Sequence, residues 1–379
     1  MTRQLKIQQP FNLALTLTMG QAFRWRPLGD GWFSGVIGEN LIHIRQTDGV
    51  DDPVTYRIGG PEGERPANGK DDQMLMRYFR EDDDVVGIYG NISSRDEHIA
   101  RLVKQYRGMR VLRQEPWECL VSYICSATNS IERISECVAA LSTELGEPLT
   151  MDDKTLFTFP TPERLADLTE ERLWELKFGF RAPRVIAVAN RVADTGINLT
   201  NFKRMSYQNA KARLMQYDGI GPKIADCIAL MSLDKLQAFP VDTHIRRLVN
   251  DWWFGGGKPP SNERIVRWAQ NYFGPYAGYA GQFIFCDRAQ SGNRTESNIS
   301  WRNIRNAAKG ESRKFEDHRA RECPFCGAPP GRHCKTPGGH YLLQGHKDRR
   351  SQIPRAIRPA RRRSRARRTI STARRRRSS

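Results

Sequence analysis

Tyr217-Asp-Gly-Ile-Gly-Pro-Lys-Ile-Ala225, followed at 240–244 by Pro-Val-Asp-Thr-His, decides how this chain folds. Asn209 to Gln216 has the composition of a helix. Ile224, Cys227, Ile228 and Met231 recur at i, i+3, i+4 and i+7, which predicts a second one. Between them Gly219 and Gly221 permit backbone angles that other residues resist, and Pro222 suits a first helical position, where no N–H is needed. The expectation is two helices joined by a tight hairpin. Free amides at the start of the second helix would form an anion site fit for a DNA phosphate.

Lys223 stands in the first turn of that second helix, where an amine near a positive helix end is a candidate nucleophile. Asp242 follows 19 residues later, after a turn at 233–235 and an extended stretch at 238–240, so the chain has room to double back. The bland alternative is a surface lysine and a helix-capping aspartate, because Val-Asp-Thr-His also suits a helix start.

Gly219-Ile-Gly-Pro-Lys223, the 19-residue step and Val241-Asp-Thr-His244 resemble the helix-hairpin-helix DNA glycosylases. Residues 223–238 are similar to the 8-oxoguanine DNA glycosylase branch, although Tyr217-Asp218 stands where many members have Leu-Pro. The resemblance spans roughly residues 10–290. It implies a bifunctional DNA N-glycosylase/AP lyase of base excision repair that excises oxidised purines, 8-oxoguanine first among them. Lys223 would attack C1′ of the deoxyribose and form a Schiff base. Asp242 would stabilise positive charge at the sugar. Gly219 and Gly221 would anchor the DNA backbone, with His244 on a phosphate or bracing the site.

The same resemblance assigns further roles. Met19-Gly-Gln-Ala-Phe-Arg-Trp25 matches the segment whose glycine carbonyl, here Gly20, reads the protonated N7 of the oxidised base. Guanine has an acceptor at N7 and 8-oxoguanine a donor, so a backbone C=O can tell them apart. Alone, Gly20 would read as a hairpin or bulge glycine. Cys227, Gln282 and Phe285 complete the expected base pocket. Phe285 matches the aromatic that stacks on the base. The glutamine expected four residues earlier falls on Gly281, with Gln282 next to it. One helical residue turns a side chain by about 100°, so either a local shift brings Gln282 in or the base is read differently. In Ser126-Ala-Thr-Asn-Ser130, Asn129 matches a gap-filling residue, as does Arg133 beyond it, and Thr128 stands where the main gap-filling asparagine is expected. Phe180 matches the aromatic wedge and Arg181 the arginine near the estranged cytosine. Otherwise the loop would hold helix caps and Phe180 would be a core aromatic after a C-cap glycine.

Composition sets the frame. At 379 residues the chain can hold two or three domains. It has no run of about 18 apolar residues and no signal-peptide core. Its eight cysteines do not read as a secreted framework, so a reducing interior is expected: cytoplasm or nucleoid in a bacterium or phage, nucleus in a eukaryote. Of the net charge of +19, twelve charges are arginines after residue 354, leaving +7 for the rest. That tail is expected to attract polyanions without sequence preference.

The fold class expected is α+β. An antiparallel sheet domain occupies 1–112, with strands at 11–19, 23–26, 32–37, 41–45 and 54–58 and a helix from Asp71 to Phe79. An all-helical domain follows at 113–290, with apolar stripes at 117–124 and 131–141, then a linker at 291–321, a small metal module at 322–350 and an Arg-rich tail. Cys323-x2-Cys326-x7-Cys334-x11-His346 has the donor set of a closed structural zinc site, with His333 and His340 as competing ligands. No Cys-x6-Cys-x2-Cys-x5-Cys set follows the hairpin, so no iron–sulfur cluster is expected. The expected partner is double-stranded DNA carrying a damaged base, bound by a monomer away from any membrane. Two rivals remain: a monofunctional alkylated-base glycosylase, which generally lacks the lysine, and a non-catalytic DNA-binding protein, which would bind without cleaving.

Overall fold

The computed structural model describes residues 2–47 and 49–295, with the backbone of two short strands at 334–335 and 341–342. Contacts divide the chain into two units, 1–311 and 312–379. In the second, Cys334–Lys335 pairs antiparallel with Tyr341–Leu342. The zinc ligands proposed from sequence lie outside the residues whose side chains are described, and so does the Arg-rich tail.

The first unit opens on an antiparallel sheet. Its strands are β1 (Arg3–Leu5), β2 (Arg26–Gly29), β3 (Trp32–Ile37), β4 (Asn40–Gln46), β5 (Val54–Gly60) and β6 (Gly63–Arg65). The β2–β3 turn runs through Gly29, Asp30 and Gly31, all at positive φ. Along β4 and β5, Ile42, Ile44, Val54, Tyr56 and Ile58 are buried in one cluster with Leu75 and Tyr78 of helix α2 (Gly69–Tyr78) and with Phe79, which ends it. That helix starts in a capping box made by Asn68 and Asp71.

Three expectations are corrected. The strand expected at 23–26 lies instead at Arg26–Gly29, because the turn is made by Gly29, Asp30 and Gly31 at positive φ and leaves residues 26–29 free to pair with β3. Residues 13–18 form helix α1 (Leu13–Thr18), not a strand. Asn12 caps it by accepting from the amide of Leu15, and Leu13, Thr16 and Leu17 turn inward at helical spacing. The region from 113 to 290 is not wholly helical either. Strands β7 (Pro148–Met151) and β8 (Lys154–Phe157) form a hairpin that extends the sheet in the order β2-β3-β4-β5-β7-β8.

Among the helices that follow, α5 (Pro116–Cys125) is the central one, with every residue but Glu118 buried. Against it packs α11 (Pro222–Ser232), buried from Ile224 to Ser232. The others that matter here are α6 (Ile131–Leu145), α9 (Ala182–Thr195), α10 (Tyr207–Leu214), α12 (Thr243–Trp253) and α14 (Ala277–Thr295). No helix among the described residues is long and apolar enough to cross a membrane.

Gln21 joins sheet half to helical half. Fully buried, it donates to the carbonyl of Arg110 at 2.8 Å and accepts from the amide of Leu112 at 2.9 Å. Its own carbonyl accepts from Gln114 at 2.7 Å and from the Tyr123 hydroxyl at 3.2 Å. Its side-chain amide and its backbone carbonyl are answered inside the protein, so the neighbouring Gly20 is held in a fixed place.

Candidate active site

Helices α10 and α11 form the predicted hairpin. Gly219 has φ +78°, and a Cβ there would stand 2.5 Å from Cδ of Arg184 on α9, so only glycine lets the turn close on that helix. Gly221 needs no such freedom: its φ is −85° and its Cα faces open space. It begins α11 without a side-chain cap, which leaves first-turn amides available to an anion. Beneath the turn, buried Asp226 accepts from the Tyr207 hydroxyl at 2.6 Å and from Lys211 Nζ at 2.8 Å, tying the two helices together.

Lys223, half-buried in the first turn of α11, points back at α5. Its Nζ lies 3.2 Å from Ser126 Oγ and 5.7 Å from the centre of the Tyr123 ring. One turn along, the Cys227 thiol is also within hydrogen-bonding reach of Lys223 and in the field of Asp242. Burial pushes that thiol up to about 11, with Lys223 pulling the other way, so at neutral pH the amine faces a thiol and not a thiolate.

Asp242 caps a helix, one of the two readings weighed for it, and does so with a single oxygen. Its Oδ1 caps α12, accepting from the amides of His244 at 2.9 Å and Ile245 at 2.7 Å. Oδ2 faces outward and meets Nη1 of Arg288 at 3.4 Å. The cap fixes the carboxylate's orientation and leaves one oxygen for electrostatic work.

Gly20, at φ +71°, backs onto α14 and α6. A Cβ on it would stand 3.0 Å from Phe285 Cε1 and 2.8 Å from Ile131 Cδ1. Gln282 is 6% exposed and donates to the Met19 carbonyl at 3.2 Å, so its amide secures the Gly20 segment to α14. Gly281 has its own reason: a Cβ would lie 3.0 Å from the Phe239 ring. Phe285 thus remains beside the Gly20 backbone, and Gln282 is engaged by the neighbouring Met19 carbonyl.

Residues expected to hold DNA lie on adjoining loops. Phe180 is partly exposed, with the guanidinium of Arg181 4.3 Å and that of Arg184 5.7 Å from its ring centre. Arg181 differs from expectation. It is 5% exposed and donates to the carbonyls of Ala127 and Thr128, so it braces the 126–130 loop from inside. Thr128, in that loop, has φ +54°, a strained angle for a β-branched residue. Asn129 donates to the carbonyl of Cys125 at 3.2 Å and so finishes α5. Arg133 and His244 are exposed.

Sequence reasoning missed Ser126, Tyr123, Arg184 and Arg288 around this site. The spacing of Arg288, three residues after Phe285 and therefore on the same helix face, was the available signal.

Comparison with known proteins bears on the whole arrangement. Residues 4–120 match the family model of the 8-oxoguanine DNA glycosylase N-terminal domain, and residues 121–271 that of the HhH-GPD superfamily base excision DNA repair proteins. An N-glycosylase/DNA lyase OGG1 of Arabidopsis thaliana is 33% identical over 285 residues, covering 72% of this chain and 76% of that protein. The N-glycosylase/DNA lyase of Saccharomyces cerevisiae is 35% identical over 256 residues, covering 62% of this chain and 66% of that one. Among solved structures, the Clostridium acetobutylicum 8-oxoguanine glycosylase/lyase, in complex with double-stranded DNA containing cytosine opposite 8-oxoguanine, superposes with a TM-score of 0.69. The two are 27% identical, over 77% of this chain and 98% of that one.

Proposed function

This chain belongs to the 8-oxoguanine DNA glycosylase family of helix-hairpin-helix base excision repair proteins, and from that premise we propose how its own residues carry the reaction. It is a bifunctional DNA N-glycosylase/AP lyase acting on 8-oxoguanine in double-stranded DNA. The base must leave the stack first, at a cost of a few kcal/mol. Asn129 of the 126–130 loop and Arg133 beyond it fill the space it vacates and contact the orphaned partner, and Phe180 wedges into the duplex opposite the lesion. The first-turn amides of α11, Gly219, Gly221 and His244 hold phosphates, positioning the strand without reading it. Gly20 offers its carbonyl to the N7 hydrogen of the oxidised base lying against Phe285.

The nitrogen of Lys223 bonds to C1′ as the bond to the base breaks, and the base departs with the electron pair. Opening of the sugar ring gives a Schiff base; loss of a C2′ proton then expels the 3′ phosphate. The Asp242 carboxylate stabilises the positive charge that develops at the sugar. One observation carries this reading: Lys223, in the first turn of α11, has its amine 3.2 Å from Ser126 Oγ at the end of α5, while Asp242, its Oδ1 held by the amides of α12, keeps Oδ2 outside that cap.

Borohydride trapping tests it. A duplex containing 8-oxoguanine opposite cytosine should yield a covalent adduct with the wild type and none with Lys223→Gln. An adduct in that variant, or tight binding with no adduct in the wild type, would overturn the assignment.

The appended segment contributes separately. Cys323, Cys326, Cys334 and His346 supply three thiolates and an imidazole, a donor set suited to tetrahedral zinc, which would hold so small a module together. Zinc content undiminished in Cys323→Ser would exclude this. The Arg-rich end adds salt-sensitive attraction to DNA.

A further inference from the structure

The base slot lacks a polar side chain where the sequence comparison expects a glutamine, and the structure gives the reason. Position 281 is glycine beneath the Phe239 ring, and Gln282 is engaged by the Met19 carbonyl. Yet an oxopurine stacked on Phe285 carries carbonyl oxygens on its edge, and those need donors. Arg288 is placed to supply them. It lies one turn beyond Phe285 on α14, with its guanidinium 5.9 Å from the centre of that ring, and its side chain is one-third exposed. Its charge partner is Asp242 Oδ2 at 3.4 Å, a long and therefore weak contact.

We propose that Arg288 is the specificity-determining side chain of the slot: it leaves Asp242 Oδ2 to donate to a carbonyl oxygen of the flipped oxopurine. Guanidinium carries donors and no acceptor, so it suits a purine edge bearing C=O and opposes one bearing an amino group. The move has a second effect. With Arg288 against it, the carboxylate's charge is partly cancelled; with Arg288 drawn to the base, that charge acts undiminished on the sugar. A base with the right edge would then both fit the slot and release the group that stabilises the reacting centre. Oδ1 stays with the amides of α12 throughout, so the carboxylate does not swing away when its partner leaves.

This inference rests on the reading of Lys223 and Asp242 above, and the test separates the two. Single-turnover cleavage is measured for wild type, Arg288→Ala and Arg288→Lys on two duplexes, one with 8-oxoguanine opposite cytosine and one with a preformed abasic site opposite cytosine. Base recognition enters only the first. Arg288→Ala should lose about tenfold or more in rate on 8-oxoguanine beyond whatever it loses on the abasic site, the size expected for one charged hydrogen bond. Arg288→Lys, which keeps a donor, should lie between. Thermal unfolding of each variant checks that the fold is kept, and Arg288→Gln replaces any variant that fails. Excision within twofold of wild type overturns the proposal. So does an equal loss on both duplexes, which would make Arg288 a backbone or packing residue. A wild type that forms no borohydride-trapped adduct with the abasic duplex removes the underlying reading, and this inference with it.

Discussion

The backbone of Gly20 lies directly against the ring of Phe285, with 3.0 Å between the position a Cβ would occupy and Cε1. Two constraints meet there, because Gly20 also sits at φ +71°. Gly20→Ala should therefore displace the Met19–Gly20 backbone against Phe285 and Ile131. The expected result is a loss of about 1 kcal/mol of stability from backbone strain alone. Excision of 8-oxoguanine should fall much further than cleavage of a preformed abasic site, read in the same single-turnover assay. Equal losses on the two substrates would mean that Gly20 supports the fold and nothing more.

Asp242 caps a helix with Oδ1, and the role proposed for it at the sugar falls to Oδ2, so the two can be separated. Asn caps helices about as well as Asp. Asp242→Asn should leave the unfolding temperature nearly unchanged while lowering the rate of base release about 100-fold, the usual size for losing one such electrostatic group. A large fall in thermal stability with little kinetic effect would assign the residue to the cap alone.

Phe180 is partly exposed, with the guanidinium groups of Arg181 and Arg184 near its ring, and the role proposed for it is to enter a gap in a base stack. Phe180→Ala should weaken binding to a lesion duplex by about 1–3 kcal/mol, the worth of one aromatic–base stack. Fluorescence anisotropy with labelled duplex reads this. Unaltered affinity would place the ring outside the DNA contact.

Asp234, at the end of α11, joins the two halves of the first unit. It pairs with Arg80 at 2.8 Å and Arg113 at 2.7 Å, and Arg80 is 1% exposed. Burial pushes its carboxyl up, but Arg80, Arg113 and Lys203 outweigh that and hold it below the usual range. Asp234→Asn keeps the backbone, since Asn tolerates the positive φ found there, and removes only the charge. About 1–2 kcal/mol should be lost at neutral pH, discounted because a third of Asp234 meets solvent. A depressed carboxyl stabilises the fold above its unfolded value near 4 and ceases to do so as pH falls through the native value. The gap between wild type and variant in denaturant titrations should therefore close in acid. A gap that is constant with pH would refute the ion-pair account.

Much of this was legible in the chain, for reasons tied to particular residues. The hairpin could be read because Gly219 and Pro222 have few other uses at that spacing and because Ile224, Cys227 and Ile228 face one way. Strands β3, β4 and β5 could be read from their apolar composition and intervening turns. Residues 13–18 were misread because Leu and Thr alternate there, while the deciding signal was a single capping side chain on Asn12. The β7–β8 hairpin escaped because four-residue strands carry too few alternations to stand out. Arg288 escaped because a charged residue near a helix end ordinarily reads as solvated, and only the fold brings Asp242 of another helix to it. The internal engagement of Arg181 likewise depends on where the 126–130 loop returns.

The pairing of Gly60 with Thr150 has a consequence for how this protein is made. During synthesis the first six strands emerge well before their last two partners, with three helices and the whole of α5 and α6 in between. The length of β5 does not wait for them: β4 pairs along 54–59, β1 at 54–56 and β6 at 58–60, so β7 adds only the pair at Gly60. The β7–β8 extension therefore joins a sheet whose edges are already covered by neighbours made before residue 66, which limits pairing with another nascent chain.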